Sequence, residues 1–140
     1  MTPKAAVHTR MPDERCSITH KFNVSGHEGY VTVGFYKEPK EVERGWSEES
    51  KIGEVFITVS KQGSTVSGLL DCLGIAVSAA LQRGIDVDVF YDKFIGQRFE
   101  PMGHSSNPEI GQANSIVDYI FRWMRHRFNP ELVPKLEGEK

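Results

Sequence analysis

The feature that most constrains this chain is a change of hydrophobic period near Val66. Before it, "SITHKFNVSG" sets Ile18, His20, Phe22 and Val24 in strict alternation, and "YVTVGFY" repeats the pattern with Val31, Val33 and Phe35 on one side and Tyr30, Thr32 and Gly34 on the other. A period of two belongs to strands with one buried face. "SGHEG" between them has the glycines of a hairpin loop. A third strand, "GEVFITVS", follows the charged stretch "KEPKEVERGWSEESK", which reads as a surface loop over residues 37–51. Trp46 in that loop either folds back onto the sheet or offers a contact face.

After Val66 the apolar residues fall three and four apart, at Leu69, Leu70, Leu73, Val77, Ala80 and Leu81. This spacing predicts a helix, begun by Ser64 or Thr65 as N-cap and ended by Gly84. A second helix starts near Asn114 or Ser115, where Asp118 three residues after Ser115 resembles a capping box, and runs through Ile116, Val117, Ile120, Phe121 and Met124. Its last turns hold Arg122, Arg125, His126 and Arg127, whose charge suits a helix C-terminus.

Three strands in one run, then helices, predict an α+β fold: an antiparallel sheet of about three strands with two main helices packed on one face. The expected organisation is a flexible leader over 1–17, one domain over 18–128 with an insertion at 37–51, and a tail over 129–140. Open edges on so small a sheet invite another chain, which predicts a homodimer or larger symmetric assembly.

Several functions are disfavoured by composition. A net charge of -2 provides no global attraction to long nucleic acid or anionic membrane. No apolar run is long enough to span a bilayer, and the N-terminus lacks a signal-peptide core, so the expected location is the cytoplasm. Cys16 and Cys72 form no metal or redox motif, and Cys72, inside the apolar helix pattern, is expected to be a buried, inert thiol. The five histidines show no metal-ligand spacing. Phosphate-loop, dinucleotide-fold, zinc-protease and nucleophile-elbow motifs are absent. The inventory points to a binding protein without cofactor, metal or catalytic residues.

Two stretches have the chemistry to hold a ligand. In "KQGSTVSG" a glycine turn runs into a helix, where free N–H groups and the Ser64 and Thr65 hydroxyls suit a phosphate, or simply cap the helix. "DKFIGQRFEPMGHSSNPEIG" has a loop's glycines and prolines but a site's side chains. Arg98 beside Phe94 and Phe99 offers a guanidinium for an anion and ring faces for a base. The alternative is that both rings anchor the loop while Arg98 pairs with Asp92 or Glu100.

Taken in order, "ITHKFNVSGHEGYVTVGFY", "GEVFITVSKQGSTVSGLLD", "DKFIGQRFEPMG" and "NSIVDYIFRWM" resemble the TSCPD domain, the small C-terminal domain of adenosylcobalamin-dependent ribonucleotide reductases, from about Ser17 to Arg125. The 37–51 loop is longer than in that family, and the Cys-rich signature behind the domain's name is missing. The resemblance implies an accessory or split part of a reductase, because the radical cysteine, substrate site and cobalamin site of such enzymes lie in a large barrel. More distantly, size and fold resemble phage anti-defence sponges, oligomers that trap cyclic nucleotide-type signals between protomers without cleaving them.

Three readings follow. The first is a sequestering nucleotide-binding homo-oligomer, with Phe94, Arg98, Phe99 and Asn107 from the loop, Ser64 and Thr65 from the first helix start, and Arg122 or Arg125 from the last helix as ligand contacts. The second is a reductase accessory whose partner is the large subunit. The third is a structural oligomerisation module.

Overall fold

The computed structural model describes residues 7–39, 51–60 and 64–135; Trp46 and most of the predicted insertion lie outside them, as does the Ser64 side chain. Strands β1 (Ser17–Val24), β2 (His27–Phe35) and β3 (Ile52–Val59) form an antiparallel sheet in the order β1-β2-β3. Ile18 pairs with Val33, and Val33 with Val55; His20 pairs with Val31, and Val31 with Ile57. The predicted alternation therefore builds one apolar face. Phe22, Val24, Val31, Val33, Val55 and Ile57 are buried on it, while Tyr30 and Phe56 stand on the opposite face, 43% and 48% exposed.

Helix α1 (Ser64–Leu81) contributes Leu70, Val77 and Leu81 to the core. Its flank also closes the far edge of β3. Ser78 Oγ accepts from the Val55 N–H at 2.9 Å and donates to the Val55 carbonyl at 3.2 Å, and the Gln82 amide donates to the Gly53 carbonyl. A Cβ on Gly74 would lie 2.9 Å from the Val55 carbonyl oxygen, so glycine is what permits this approach. At Gly53 and Val55 the outer edge of β3 is thus satisfied from within. The helix ends as predicted at Gly84, with φ of 93°, where Gly84 N–H donates to Leu81 and Ile85 N–H to Ala80.

The expected burial of Cys72 is overturned, since it is exposed, as are Leu69 at 66% and Ile75 at 65%. At about 100° per residue, Cys72 points away from the side that carries Leu70 and Val77. The helix is apolar nearly all round, and its sequence pattern does not reveal which side is inside.

A helix absent from the sequence reading, α2 (Val87–Phe94), precedes the loop. Two short strands, β4 (Gly103–His104) and β5 (Gln112–Ala113), pair within the loop. Helix α3 (Ile116–Phe128) then buries Ile116, Val117, Ile120, Phe121 and Met124 against the sheet, and a 3-10 turn, Pro130–Leu132, follows. Ser115 is the N-cap: its hydroxyl accepts from the Asp118 N–H at 2.9 Å.

The segment expected to be a flexible leader is tied down over its described part. Thr9 N–H donates to Gln82, the Tyr36 hydroxyl donates to the Thr9 carbonyl, and Arg15 pairs with buried Glu54 at 2.5 Å. Among the described residues no helix is long and apolar enough to cross a membrane.

Candidate functional site

The segment between α2 and α3 is held by side chains that the sequence reading had offered to a ligand. Its centre is Asp118, 1% exposed. One carboxylate oxygen accepts from the Gly96 N–H at 2.7 Å; the other accepts from the Asn114 N–H at 2.9 Å and faces Arg122 Nη1 at 3.3 Å. These bonds fix both ends of the loop to the first turn of α3. Arg122 then reaches on, donating to the carbonyls of Gln112 at 2.7 Å and Ile110 at 3.0 Å. A loop so folded must satisfy its inward carbonyls, and a guanidinium supplies several donors at once.

Asn107 organises the tip. Its side-chain oxygen accepts from the Glu109 N–H, its carbonyl accepts from Ile110 and Gly111, and its amide donates to the Tyr119 hydroxyl at 3.3 Å. The tip also joins the sheet, where Ser25 N–H donates to His104 and Ser106 N–H to Asn23, extending the end of β1.

Phe94 closes α2 with its ring 5.7 Å from Phe90 and 5.2 Å from Phe121, so its faces are used in packing. This matches the anchoring alternative for that ring. Phe99 differs: it is 44% exposed, and its N–H donates to Asn114. Arg98 beside it is exposed and makes no ion pair with Asp92 or Glu100 among the described residues. Met102, 38% exposed, lies just beyond the cis Glu100–Pro101 bond. The Arg125 Nε is buried without a hydrogen-bond partner. Thr65 is exposed in the first turn of α1, and no hydrogen bond among the described residues ties it to the loop. Of the eight residues, Arg98, Phe99 and Thr65 are exposed, Phe94, Asn107 and Arg122 serve the loop, Arg125 is half-buried, and the Ser64 side chain lies outside the described residues.

Beside the loop lies a constellation the sequence reading passed over. His20, on the inward face of β1, stacks on Trp123 at 4.4 Å, and its Nε2 is 2.8 Å from the Tyr119 hydroxyl. Burial lowers the His20 pKa below its ordinary value and raises that of Tyr119, the Asn107 bond opposing the rise. The chain Asn107 amide to Tyr119 oxygen, Tyr119 O–H to His20 nitrogen is complete when His20 is neutral. A histidine within an alternating apolar face signals a partner across the core, and here it is Tyr119.

The family model described as the TSCPD domain matches residues 1–128. The chain belongs to the TSCPD domain family. The match includes the bonded segment around Thr9 and Arg15. The TSCPD chain is 45% identical over 92% of its length to the vitamin B12-dependent ribonucleotide reductase of Rhodopirellula baltica. It is 42% identical over 89% to that of Streptomyces avermitilis, and 37% identical over 81% to that of Bradyrhizobium diazoefficiens. These alignments cover 12%, 12% and 8% of the reductases, so the chain corresponds to a small part of each. No solved structure matches it.

The cleft beside the N-terminal segment, lined by Arg10, Met11, Pro12, Asp13, Glu14 and Glu38, does not offer a cobalamin the large, mainly apolar recess that such a group calls for.

Proposed function

We propose that this chain is a non-catalytic TSCPD module that works with the catalytic body of a vitamin B12-dependent ribonucleotide reductase in the cytoplasm, whether joined to it or supplied separately. The observation that carries this reading is the 45% identity, over nearly the whole chain, to a segment of such a reductase. The module acts by docking, and the 96–114 loop is its contact. Asp118 and Arg122 hold the loop in shape, so Arg98, Phe99 and Met102 are presented with little ordering left to do, and Arg and aromatic side chains are the residues that interfaces favour.

Sequestration of a cyclic nucleotide has weaker support. The relatives reported are reductases, and Phe94, Asn107 and Arg122 already have partners in the fold.

The test uses a reductase of this family from which the TSCPD segment has been deleted. The chain should bind that body in a titration and raise its deoxyribonucleotide output, and Arg98→Ala or Phe99→Ala should weaken binding about tenfold, or about 1.4 kcal/mol. No binding to the body, together with nanomolar binding of an intact cyclic nucleotide, would restore the sequestering reading.

A further inference from the structure

We infer that the outward side of α1 is a homodimer interface on which a second copy of this chain packs antiparallel about a two-fold axis at Cys72. The inference goes beyond the reductase reading and does not depend on it.

The inward side of α1 is used up by the core and by the edge of β3. What remains is a stripe through Gly68, Leu69, Cys72, Ile75 and Ala76 at steps of three and four, the spacing that keeps residues on one helix face. Leu69 and Ile75 are about two-thirds exposed, at 66% and 65%. The stripe extends to Thr65 and Ala79 one turn further out. Asp71 falls at its border, and no charged side chain lies within it.

This pattern is symmetric about Cys72. In an antiparallel pair centred there, Leu69 of one copy lies opposite Ile75 of the other, Gly68 opposite Ala76, and Cys72 opposite itself. Large thus meets large and small meets small, so the aliphatic side chains can interlock while the small residues let the helices approach. A two-fold interface sets each surface patch against its own copy, where a central charge would repel itself; an uncharged stripe avoids that cost. A reductase body of unrelated sequence gives no reason for the stripe to be symmetric.

Area sets the strength to expect. An 18-residue helix is about 27 Å long and about 10 Å across, so the stripe presents on the order of 300 Å². Two such stripes would bury roughly 600 Å², which belongs to a weak, reversible pair and calls for a test at high concentration.

The test is sedimentation equilibrium of the full chain between about 1 and 100 μM. A monomer–dimer equilibrium with a dimer twice the 15.8 kDa monomer is expected. Leu69→Glu and Ile75→Glu, both at exposed positions, should keep the circular dichroism spectrum and shift the species to monomer, with at least a tenfold weaker Kd. Diamide, which accepts two electrons and two protons from two thiols, should join the copies in a disulfide lost in Cys72→Ser and retained in Cys16→Ser. A monomer at 100 μM overturns the inference, including one whose α1 face is protected only by a reductase body. So does a dimer indifferent to both Glu substitutions.

Discussion

Removing the Asp118 carboxylate tests whether one buried charge sets the shape of the loop. Asp118→Ala deletes two bonds from backbone N–H groups and an ion pair, and bonds to a charged group contribute about 1.5–3 kcal/mol each. The simple sum overstates the loss, because the substitution also relieves the cost of holding a carboxylate at 1% exposure. Arg122, with 28% of its side chain exposed, can recover water and keeps its two carbonyl partners, so it is not stranded. The Gly96 and Asn114 N–H groups lose the carboxylate that fixes them to α3. We expect a loss of about 3 kcal/mol, near the lower bound for breaking a buried pair.

Urea denaturation followed by circular dichroism reads this directly. With a slope of about 2 kcal/mol/M, the midpoint should fall by about 1.5 M at unchanged slope. Hydrogen exchange should quicken first at Gly96 and Asn114. A loss below about 1 kcal/mol, or exchange at those two amides as slow as in the parent, would refute the account of Asp118 as the clamp of the loop. Arg122→Ala should cost a similar amount, about 3 kcal/mol, since it gives up two bonds to loop carbonyls and leaves the Asp118 carboxylate buried without its ion-pair partner.

Other expectations follow from the same geometry. Ser78→Ala removes the only side-chain partner of the Val55 N–H among the described residues and should cost about 1–3 kcal/mol in the same urea assay. Gly74→Ala drives a methyl into the Val55 carbonyl and should cost about 1–3 kcal/mol despite the better helix propensity of alanine. His20 has a folded pKa below its unfolded value of about 6.5, so the unfolded state binds the proton more readily. Its contribution is therefore fully present above about pH 6.5 and is lost as pH falls through the folded pKa. His20→Phe, which still stacks on Trp123, should flatten that part of the stability–pH curve; a slope equal to the parent's would remove His20 as its source.

Strands and the last helix were legible because each rests on a local rule. Alternation placed Phe22, Val31 and Val33 on the buried face, and Ser115 with Asp118 marked the start of α3. What escaped the sequence reading depends on partners far along the chain. Cys72 was misjudged because apolar residues flank both the inward and the outward side of α1, so spacing that marks a helix does not say which side is inside. Helix α2 has only eight residues, among flanking loop signals, and is anchored by Phe94 on Phe121 of a later helix. Arg122 and Asn107 have the chemistry of ligand contacts, and no local pattern tells an anion from the loop's own carbonyls. The His20 signal was present, a polar residue in an apolar alternation, but its partner Tyr119 lies 99 positions away.

The outward side of α1 and the tip of the loop that carries Arg98 and Phe99 belong to opposite edges of the sheet. α1 closes the edge of β3, while the loop tip bonds to the end of β1, two strands away and thus about 10 Å across the sheet. A dimer formed through α1 would leave Arg98 and Phe99 of both copies free to meet a reductase body. The two interactions should then be separable. Leu69→Glu should abolish self-association without changing the affinity for the body, and Arg98→Ala should do the reverse. A substitution on one side that altered the other interaction more than about threefold would mean that the two surfaces share a partner, because sites this far apart with no common contact are expected to add independently.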